Sequence, residues 1–250
     1  MEYGICPLSV IPIRSNATDS ADMLSQLLYG EHFKLLERRK FWSRIRCAFD
    51  GCEGWVENNQ IRILPQDTYE AIQNFEQPGY SIDLVSFVTT DAHVLIPIVM
   101  GSSVRNTLAL PNVFEGASVS DKKDKPNLIK TALLYLNAPY FKGGRTPFGL
   151  DCSGFTQMVY RINGYQLKRN ATEQSSQGDA LSFIEESEPG DLAFFDNSDG
   201  IINHVGIIMK ENYIIHVAGK VRIDRIDHTG IFNAETRTYT HSLRVIKKII

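Results

Sequence analysis

The first 64 residues alternate apolar and polar positions in short bursts. The bursts lie at residues 8–12, 33–35 and 42–45. Turn-forming pairs separate them, at Tyr29-Gly30, Asp50-Gly51 and Glu53-Gly54. Short strands joined by turns at this spacing are typical of a small β-barrel. We therefore predict a β-barrel domain over residues 1–64, closed by Pro65.

Residues 65–122 have a less regular pattern. A helical or loop stretch at Asp67–Phe75 precedes two apolar runs, Ile82–Val88 and Val94–Val99, with a turn at Asp91-Ala92 between them. The runs predict strands. This segment is then a β-rich extension of the barrel, a second degenerate barrel or a long linker, and the strand pattern favours ordered β-structure.

The pattern changes after a charged run at residues 121–125, which we interpret as solvated surface. Apolar residues at helical spacing follow Asn127, and another helix is predicted over Cys152–Ile162, whose apolar residues share one face. Four strands are predicted at residues 191–195, 205–209, 213–217 and 243–249. Helices followed by strands with short connections predict an α+β domain over residues 123–250.

Composition narrows the class of protein. The chain has 250 residues, 43% of them hydrophobic, and a net charge of −3. It is long and apolar enough to fold as a globular protein, and its charge gives no general attraction to nucleic acid. The cysteines are too few for a disulfide framework and lack the partners of a zinc site, so no metal is expected. They are Cys6, Cys47, Cys52 and Cys152.

The N-terminal residues show no basic leader, long apolar run or small-residue cleavage site. If Met1 is the true start, a secretory signal peptide is absent. The longest apolar runs, such as Val94–Met100, are too short to span a bilayer. These features lead us to expect a soluble, cytoplasmic protein with reduced thiols and no membrane partner.

Cys152 is the first candidate for chemistry. It stands at the start of a predicted helix, with Asp151 at or near the N-cap. Partial positive charge at a helix N-terminus stabilises a thiolate, and a nearby imidazolium would stabilise it further. A lone cysteine is nevertheless more often a buried structural residue.

Two histidines strengthen this interpretation. His204 and His216 each lie in an apolar strand, and their separation of 12 residues lets them meet across adjacent strands. Alone, either is better explained as a satisfied core histidine. Together with Cys152 they supply the base, and the residue that orients it, which a thiol protease needs. The other histidines are predicted at surface or loop positions, and they are His32, His93, His228 and His241.

Six ordered stretches carry a family resemblance. They are Pro139-Tyr140-Phe141-Lys142-Gly143-Gly144, Gly149-Leu150-Asp151-Cys152-Ser153-Gly154-Phe155, Arg169-Asn170-Ala171-Thr172-Glu173-Gln174, Pro189-Gly190-Asp191-Leu192-Ala193-Phe194-Phe195, Asn203-His204-Val205-Gly206-Ile207 and His216-Val217-Ala218-Gly219. With them, residues 126–250 resemble the NlpC-type papain-like cysteine peptidases of bacterial cell walls. The resemblance implies a papain-like fold and a Cys-His-His triad, with no cofactor.

The resemblance also implies roles. Cys152 attacks the scissile carbonyl and contributes its backbone N–H to an oxyanion hole. His204 takes the thiol proton and returns it to the leaving amine, and His216 orients His204.

Substrate-binding residues are implied in the same way. Tyr140 matches a tyrosine that points into the site. Asp151 and Ser153 match residues that contact the free amine and the D-glutamyl carboxylate of the substrate, and Arg169 shapes that pocket. The chain departs from the family pattern at Lys142, Asn170 and Ala218, which leaves the details of the pocket open.

The first 64 residues resemble a bacterial SH3 domain. The signs are Leu27-Leu28-Tyr29-Gly30-Glu31, Phe41-Trp42-Ser43-Arg44-Ile45 and Gly54-Trp55-Val56. Trp55 is expected in the core. Residues 65–122 are then a β-rich extension or a second degenerate SH3-like unit. The tyrosine that similar domains place just before Gly-Trp is absent, and Tyr80 is a candidate substitute.

The two resemblances together predict a function. Similar two-part enzymes are γ-D-glutamyl-L-diamino acid endopeptidases of the dipeptidyl-peptidase VI type. The expected substrate is the small cell-wall peptide L-Ala-γ-D-Glu-diamino acid with a free N-terminus, in cell-wall peptide recycling. The alternatives are an exported hydrolase of intact peptidoglycan and an inactive protein that binds cell-wall peptides.

Overall fold

A computed structural model describes residues 2–75, 79–106 and 108–250 of the protein. The chain divides into two compact units. The first contains residues 1–121 together with residues 142–147, and the second contains residues 122–141 and 148–250.

The first unit is built mainly of strands. Its barrel strands are β1 (Glu2–Ile5), β2 (Val10–Arg14), β3 (Met23–Leu28), β4 (His32–Arg38), β5 (Trp42–Cys47), β6 (Glu53–Glu57) and β7 (Arg62–Leu64). They form an antiparallel sheet in the order β3-β2-β6-β5-β4-β1-β7. Burial alternates along β2: Ile11 and Ile13 point into the core, while their neighbours on the strand stay partly exposed. Trp55 is buried in this barrel, as predicted.

Residues after the barrel pack against it within the same unit. The elements are α1 (Gln66–Gln73), β8 (Tyr80–Ser81), β9 (Val85–Thr89), β10 (Leu95–Val99), β11 (Val113–Phe114) and β12 (Ser118–Val119). Strands β9 and β10 confirm the two predicted runs and enclose the predicted turn. Ile72, Val88 and Ile98 share one hydrophobic cluster with Tyr3 and Ile5 of the barrel. Tyr80 is also buried.

A buried ion pair ties residues 142–147 into the first unit. Arg145, part of strand β13 (Arg145–Thr146), donates to both carboxylate oxygens of Glu31 at 2.9 Å. It also donates to the backbone carbonyl of Gln26 at 2.7 Å. Fork-shaped pairing of this kind compensates two charges that would be costly to bury alone. Nothing in the local sequence around either residue indicates the pair.

The second unit combines short helices with an antiparallel sheet. Its elements are α2 (Pro126–Leu134), β14 (Gly149–Leu150), α3 (Cys152–Ile162), α4 (Ala171–Gln174), β15 (Asp179–Leu181), β16 (Leu192–Asp196), β17 (Ile202–Ile208), β18 (Tyr213–Ala218), β19 (Lys220–Ile226), β20 (Gly230–Asn233) and β21 (Thr238–Lys248). The sheet order is β15-β21-β16-β17-β18-β19-β20. Because β21 pairs with both β16 and β20, these strands close on themselves. The predicted helices and strands of this domain are confirmed.

Helix α3 is the central helix of this unit. The predicted apolar face is present, but every residue from Ser153 to Ile162 is buried, so the helix is covered on all sides. Its polar residues therefore need partners inside the protein. Thr156 donates to Gln174 at 2.7 Å, and Gln157 donates to the Leu167 carbonyl at 3.1 Å.

Within the described residues, no helix combines the length and apolar character needed to cross a membrane.

Candidate active site

A pocket of about 460 Å³ in the second unit gathers most of the predicted site residues. Tyr140, Asp151, Cys152, Ser153 and His204 line it. The two remaining predicted residues, His216 and Arg169, are buried and hydrogen-bond to residues that line the pocket.

Cys152 is the first residue of α3, and Asp151 is its N-cap, as the sequence predicts. The Asp151 carboxylate accepts a hydrogen bond from the Gly154 backbone N–H at 2.7 Å. The Cys152 Sγ atom lies 3.9 Å from the backbone carbonyl oxygen of Asn203, next to His204. The chain thus brings the thiol to the end of β17 where His204 stands.

Burial opposes ionisation of the resting thiol. Burial, reinforced by the negative charge of Asp151, raises the pKa of Cys152 to about 11. Backbone hydrogen bonds and Arg169 act in the opposite direction but do not outweigh these causes. Desolvation thus works against the thiolate that a helix N-terminus is expected to stabilise, and it favours the protonated thiol at rest.

Asp151 and Arg169 form a paired-charge contact beside the thiol. Arg169 donates to the two carboxylate oxygens of Asp151 at 3.0 and 2.8 Å, and to the Ser153 hydroxyl at 3.1 Å. The Ser153 hydroxyl donates to Asp151 at 3.2 Å. The Asp151 carboxylate thus lines the same pocket as Cys152, and the buried Arg169 cation fixes its orientation.

His204 and His216 meet across β17 and β18. The residue directly opposite His216 is Gly206, and His204 lies two positions away on the same face. A side chain at position 206 would meet the Cβ atom of His216 at 2.8 Å, so glycine avoids a clash with the His216 side chain. His204 Nε2 and His216 Nδ1 are 2.9 Å apart, within hydrogen-bond distance.

The hydrogen bonds continue to two residues that the sequence analysis missed. His216 Nε2 lies 2.9 Å from Oδ2 of Asp224, and Arg222 donates to both oxygens of Asp224 at 2.6 and 2.9 Å. Burial acts to raise the pKa of Asp224, but hydrogen bonds from His216 and Arg222 outweigh it and the pKa lies below its ordinary value. The available signal was a pair of opposite charges at alternate positions in the strand after His216.

Known proteins resemble both parts of the chain. The NlpC/P60 family profile matches residues 137–240, and the profile of a bacterial dipeptidyl-peptidase SH3 domain matches residues 13–61. A γ-D-glutamyl-L-lysine dipeptidyl-peptidase of Bacillus subtilis (strain 168) is 35% identical over 218 residues, which are 77% of this chain and 71% of that protein. Dipeptidyl-peptidase 6 of Lysinibacillus sphaericus is 30% identical over 239 residues, 83% of this chain and 85% of that protein.

The chain belongs to the NlpC/P60 family. It is a cysteine peptidase with an N-terminal SH3-like barrel and a papain-like domain, as predicted. The crystal structure of an NlpC/P60 family protein from Bacillus cereus ATCC 10987 has the same fold, with a TM-score of 0.80, 17% identity and 99% of each chain covered.

His241 corrects a prediction about this peptidase. We expected it at the surface or in a loop, but it is half-buried on β21. Its ring stacks on that of His204, with centroids 4.0 Å apart and an interplanar angle of 24°. The alternating pattern of β21 hides this contact, because the partner is 37 residues away along the chain. His32 is likewise half-buried on β4 rather than in a loop.

The surroundings of His204 keep its imidazole neutral. Burial, with further contributions from His241 and His216, lowers the pKa of His204 well below its usual range. Burial also lowers the pKa of His241 to about 4, helped by His216. A neutral imidazole can accept a proton, so the site is arranged as a protonated thiol beside a neutral base.

Three histidines lie close enough together to raise the question of a metal site. Among the described residues, one ring nitrogen of each of His204, His216 and His241 lies within 4.8 Å of the others. However, His204 Nε2 and His216 Nδ1 are engaged with each other in a hydrogen bond. The rings of His204 and His241 are stacked, so their in-plane lone pairs lie in two nearly parallel planes rather than converging on one ion. This geometry suits proton transfer better than metal binding.

Proposed function

We propose that this peptidase hydrolyses the γ-D-glutamyl-L-diamino acid bond of small cell-wall peptides that have a free N-terminal L-alanine. The observation that carries the proposal is the placement of the Asp151 carboxylate in the same pocket as Cys152. A carboxylate there attracts a substrate ammonium group. The name of the Bacillus subtilis relative, a γ-D-glutamyl-L-lysine dipeptidyl-peptidase, supports the same bond type.

The reaction follows from the two neutral groups. His204 removes the thiol proton as the Cys152 sulfur attacks the γ-glutamyl carbonyl carbon. The backbone N–H of Cys152 stabilises the oxyanion, and His204 then protonates the leaving amine of the diamino acid. Water hydrolyses the thioester and releases the dipeptide L-Ala-D-Glu. Tyr140, with 48% of its surface exposed, borders the space for the substrate.

The proposed setting is cell-wall peptide recycling in the cytoplasm. The free-amine requirement favours small turnover peptides over intact peptidoglycan, whose peptides are attached through their N-termini.

The first test measures cleavage of L-Ala-γ-D-Glu-L-Lys and L-Ala-γ-D-Glu-meso-diaminopimelate with the reduced enzyme. Release of L-Ala-D-Glu is expected from at least one of them, and acetylation of the substrate amine should lower kcat/KM by about 10- to 150-fold, since a charge-assisted hydrogen bond contributes about 1.5–3 kcal/mol. In Asp151→Asn, acetylation should matter much less, because the carboxylate that binds the amine is gone.

The controls separate binding from chemistry. Cys152→Ala should abolish turnover while leaving Tm nearly unchanged. Equal rates on free and acetylated tripeptide would contradict the proposed amine recognition, and faster turnover of intact sacculi would favour the exported hydrolase. Absence of cleavage by folded enzyme, with tripeptide binding retained, would favour the inactive binding protein.

A further inference from the structure

A row of hydrogen bonds extends beyond the predicted Cys-His-His triad. His204 bonds to His216, His216 bonds to Asp224, and Arg222 holds both oxygens of Asp224. His216 and Asp224 are almost fully buried, with 1% and 6% of their surfaces exposed. These bonds are therefore little exposed to competition from water.

Strand register produces this row. Gly206 on β17 is opposite His216, and Arg222 on β19 is opposite His216 from the other side. His204 and Asp224 are each two positions along from those partners, on the same face of the sheet. Three adjacent strands therefore place the two imidazoles and the carboxylate on one face.

The chemistry of the groups gives the bonds a direction. An ionised carboxylate only accepts and a guanidinium only donates, so His216 Nε2 must carry the proton that bonds to Asp224. With His216 in its neutral form, which has one N–H, Nδ1 is an acceptor and takes the hydrogen bond from Nε2–H of His204. Nδ1 of His204 is then unprotonated.

We infer that Asp224 is a positioning residue of this peptidase. Its carboxylate fixes the tautomers of His216 and His204 in turn, and so leaves Nδ1 of His204 as the atom that accepts the Cys152 proton. Arg222 holds the carboxylate in place. The inference rests on the proposed roles of Cys152 and His204, which the triad resemblance already assigns, but it adds a residue beyond that triad.

The decisive variant is Asp224→Ala. His216 Nε2 and Arg222 Nε both bond to the same oxygen, Oδ2, and this substitution removes it. His216 and His204 can then each adopt the opposite tautomer, in which Nδ1 of His204 is an N–H that cannot accept the thiol proton. We expect kcat to fall by about 10- to 10³-fold with KM little changed, because loss of the orienting carboxylate in a catalytic triad costs about 10⁴-fold and Asp224 acts one residue further from the base.

Two matched variants distinguish this effect from general disruption. Asp224→Asn can keep an acceptor, its amide oxygen, at the Oδ2 position that faces His216 and Arg222 Nε, so it should retain more activity than Asp224→Ala. Asp227→Asn alters a carboxylate at the end of the neighbouring turn that bonds to Tyr239 and to the backbone, and its activity should stay within about twofold of wild type.

NMR tests the inference without depending on turnover. In ¹⁵N-histidine-labelled wild type, long-range ¹⁵N–¹H couplings should show Nε2–H tautomers for both His204 and His216, and Asp224→Ala should show a mixture of tautomers. A wild-type spectrum with Nδ1–H on His204 would overturn the inference. So would a folded Asp224→Ala enzyme with kcat within about threefold of wild type. Failure of the tripeptide assay alone would instead contradict the proposed substrate.

Discussion

At the scale of single residues, burial controls the chemistry of Cys152 more strongly than its position on a helix. The helix N-terminus and Arg169 favour the thiolate, yet desolvation and the charge of Asp151 together prevail and the pKa rises to about 11. The same desolvation lowers the pKa of the His204 base. Both partners are thus neutral at rest, and proton transfer accompanies attack on the substrate.

Alkylation measures this state directly. The rate of Cys152 modification by iodoacetamide should be low at pH 6 and rise with a midpoint above the ordinary thiol value of about 8.5. Asp151→Asn keeps an N-cap side chain but removes the negative charge, so its midpoint should be lower than that of wild type. Cys152→Ser supplies the background from the other cysteines. Rapid modification of wild type at pH 6 would show a thiolate at rest and contradict the prediction.

At the scale of elements, the β17–β18 hairpin sets the distance between the two imidazoles. Gly206 is opposite His216, and its missing side chain lets the His216 ring approach His204 diagonally. The 12-residue spacing in the sequence predicted that the histidines would meet. It did not indicate the two-position offset, because register depends on the pairing of both strands and the turn between them.

A single methyl group tests this hairpin. In Gly206→Ala the new Cβ would lie 2.8 Å from the His216 Cβ and 2.7 Å from an Ile214 methyl carbon, so side chains must move. We expect a loss of about 1–3 kcal/mol in the free energy of unfolding and at least a tenfold fall in kcat. Ile207→Val, which changes the opposite face of the same strand, should cost about 1 kcal/mol and preserve kcat. Equal effects of the two variants on kcat would contradict this account.

At the scale of the whole molecule, the two units differ in which of their side chains titrate with a shifted pKa and which fluoresce. The histidines with depressed pKa values, His204 and His241, both belong to the second unit. The two tryptophans, Trp42 and Trp55, both belong to the first. Tryptophan fluorescence therefore reports on the first unit alone, and hydrogen exchange of the α3 amides reports on the second.

Acidification should destabilise the second unit selectively. Because the pKa of His204 is lower in the folded state than its unfolded value of about 6.5, the unfolded chain binds the proton first and stability falls as the pH decreases below 6.5. Protonation of the His204 site in the unfolded chain lowers the free energy of unfolding by at most about 1.4 kcal/mol per pH unit. Between pH 7.5 and 5.5, the free energy of opening measured by exchange of the α3 amides should fall markedly. The free energy of unfolding measured by the urea transition of the tryptophan signal should fall less. In His204→Asn, the loss of stability of the second unit on acidification should be smaller. An equal loss of stability in both units of the wild type would refute the prediction.

Local patterns allowed the sequence to predict much of the second unit. Apolar spacing located α2 and α3, and the predicted strands correspond to β16, β17, β18 and β21. These signals depend on residues within a few positions of one another. Strands β19 and β20 were missed. Strand β19 is rich in charged residues, namely Lys220, Arg222, Asp224 and Arg225, and strand β20 has only four residues.

The sequence by itself determined the residue types that do the chemistry, the helix that begins at Cys152 and the family to which the chain belongs. Those features are local or lie in ordered motifs. Only the tertiary structure decided that His241 stacks on His204, that Asp224 extends the row of hydrogen bonds and that the Cys152 pKa is raised. Each of these depends on strand register or burial, which join residues distant in the chain and therefore leave no local pattern to read.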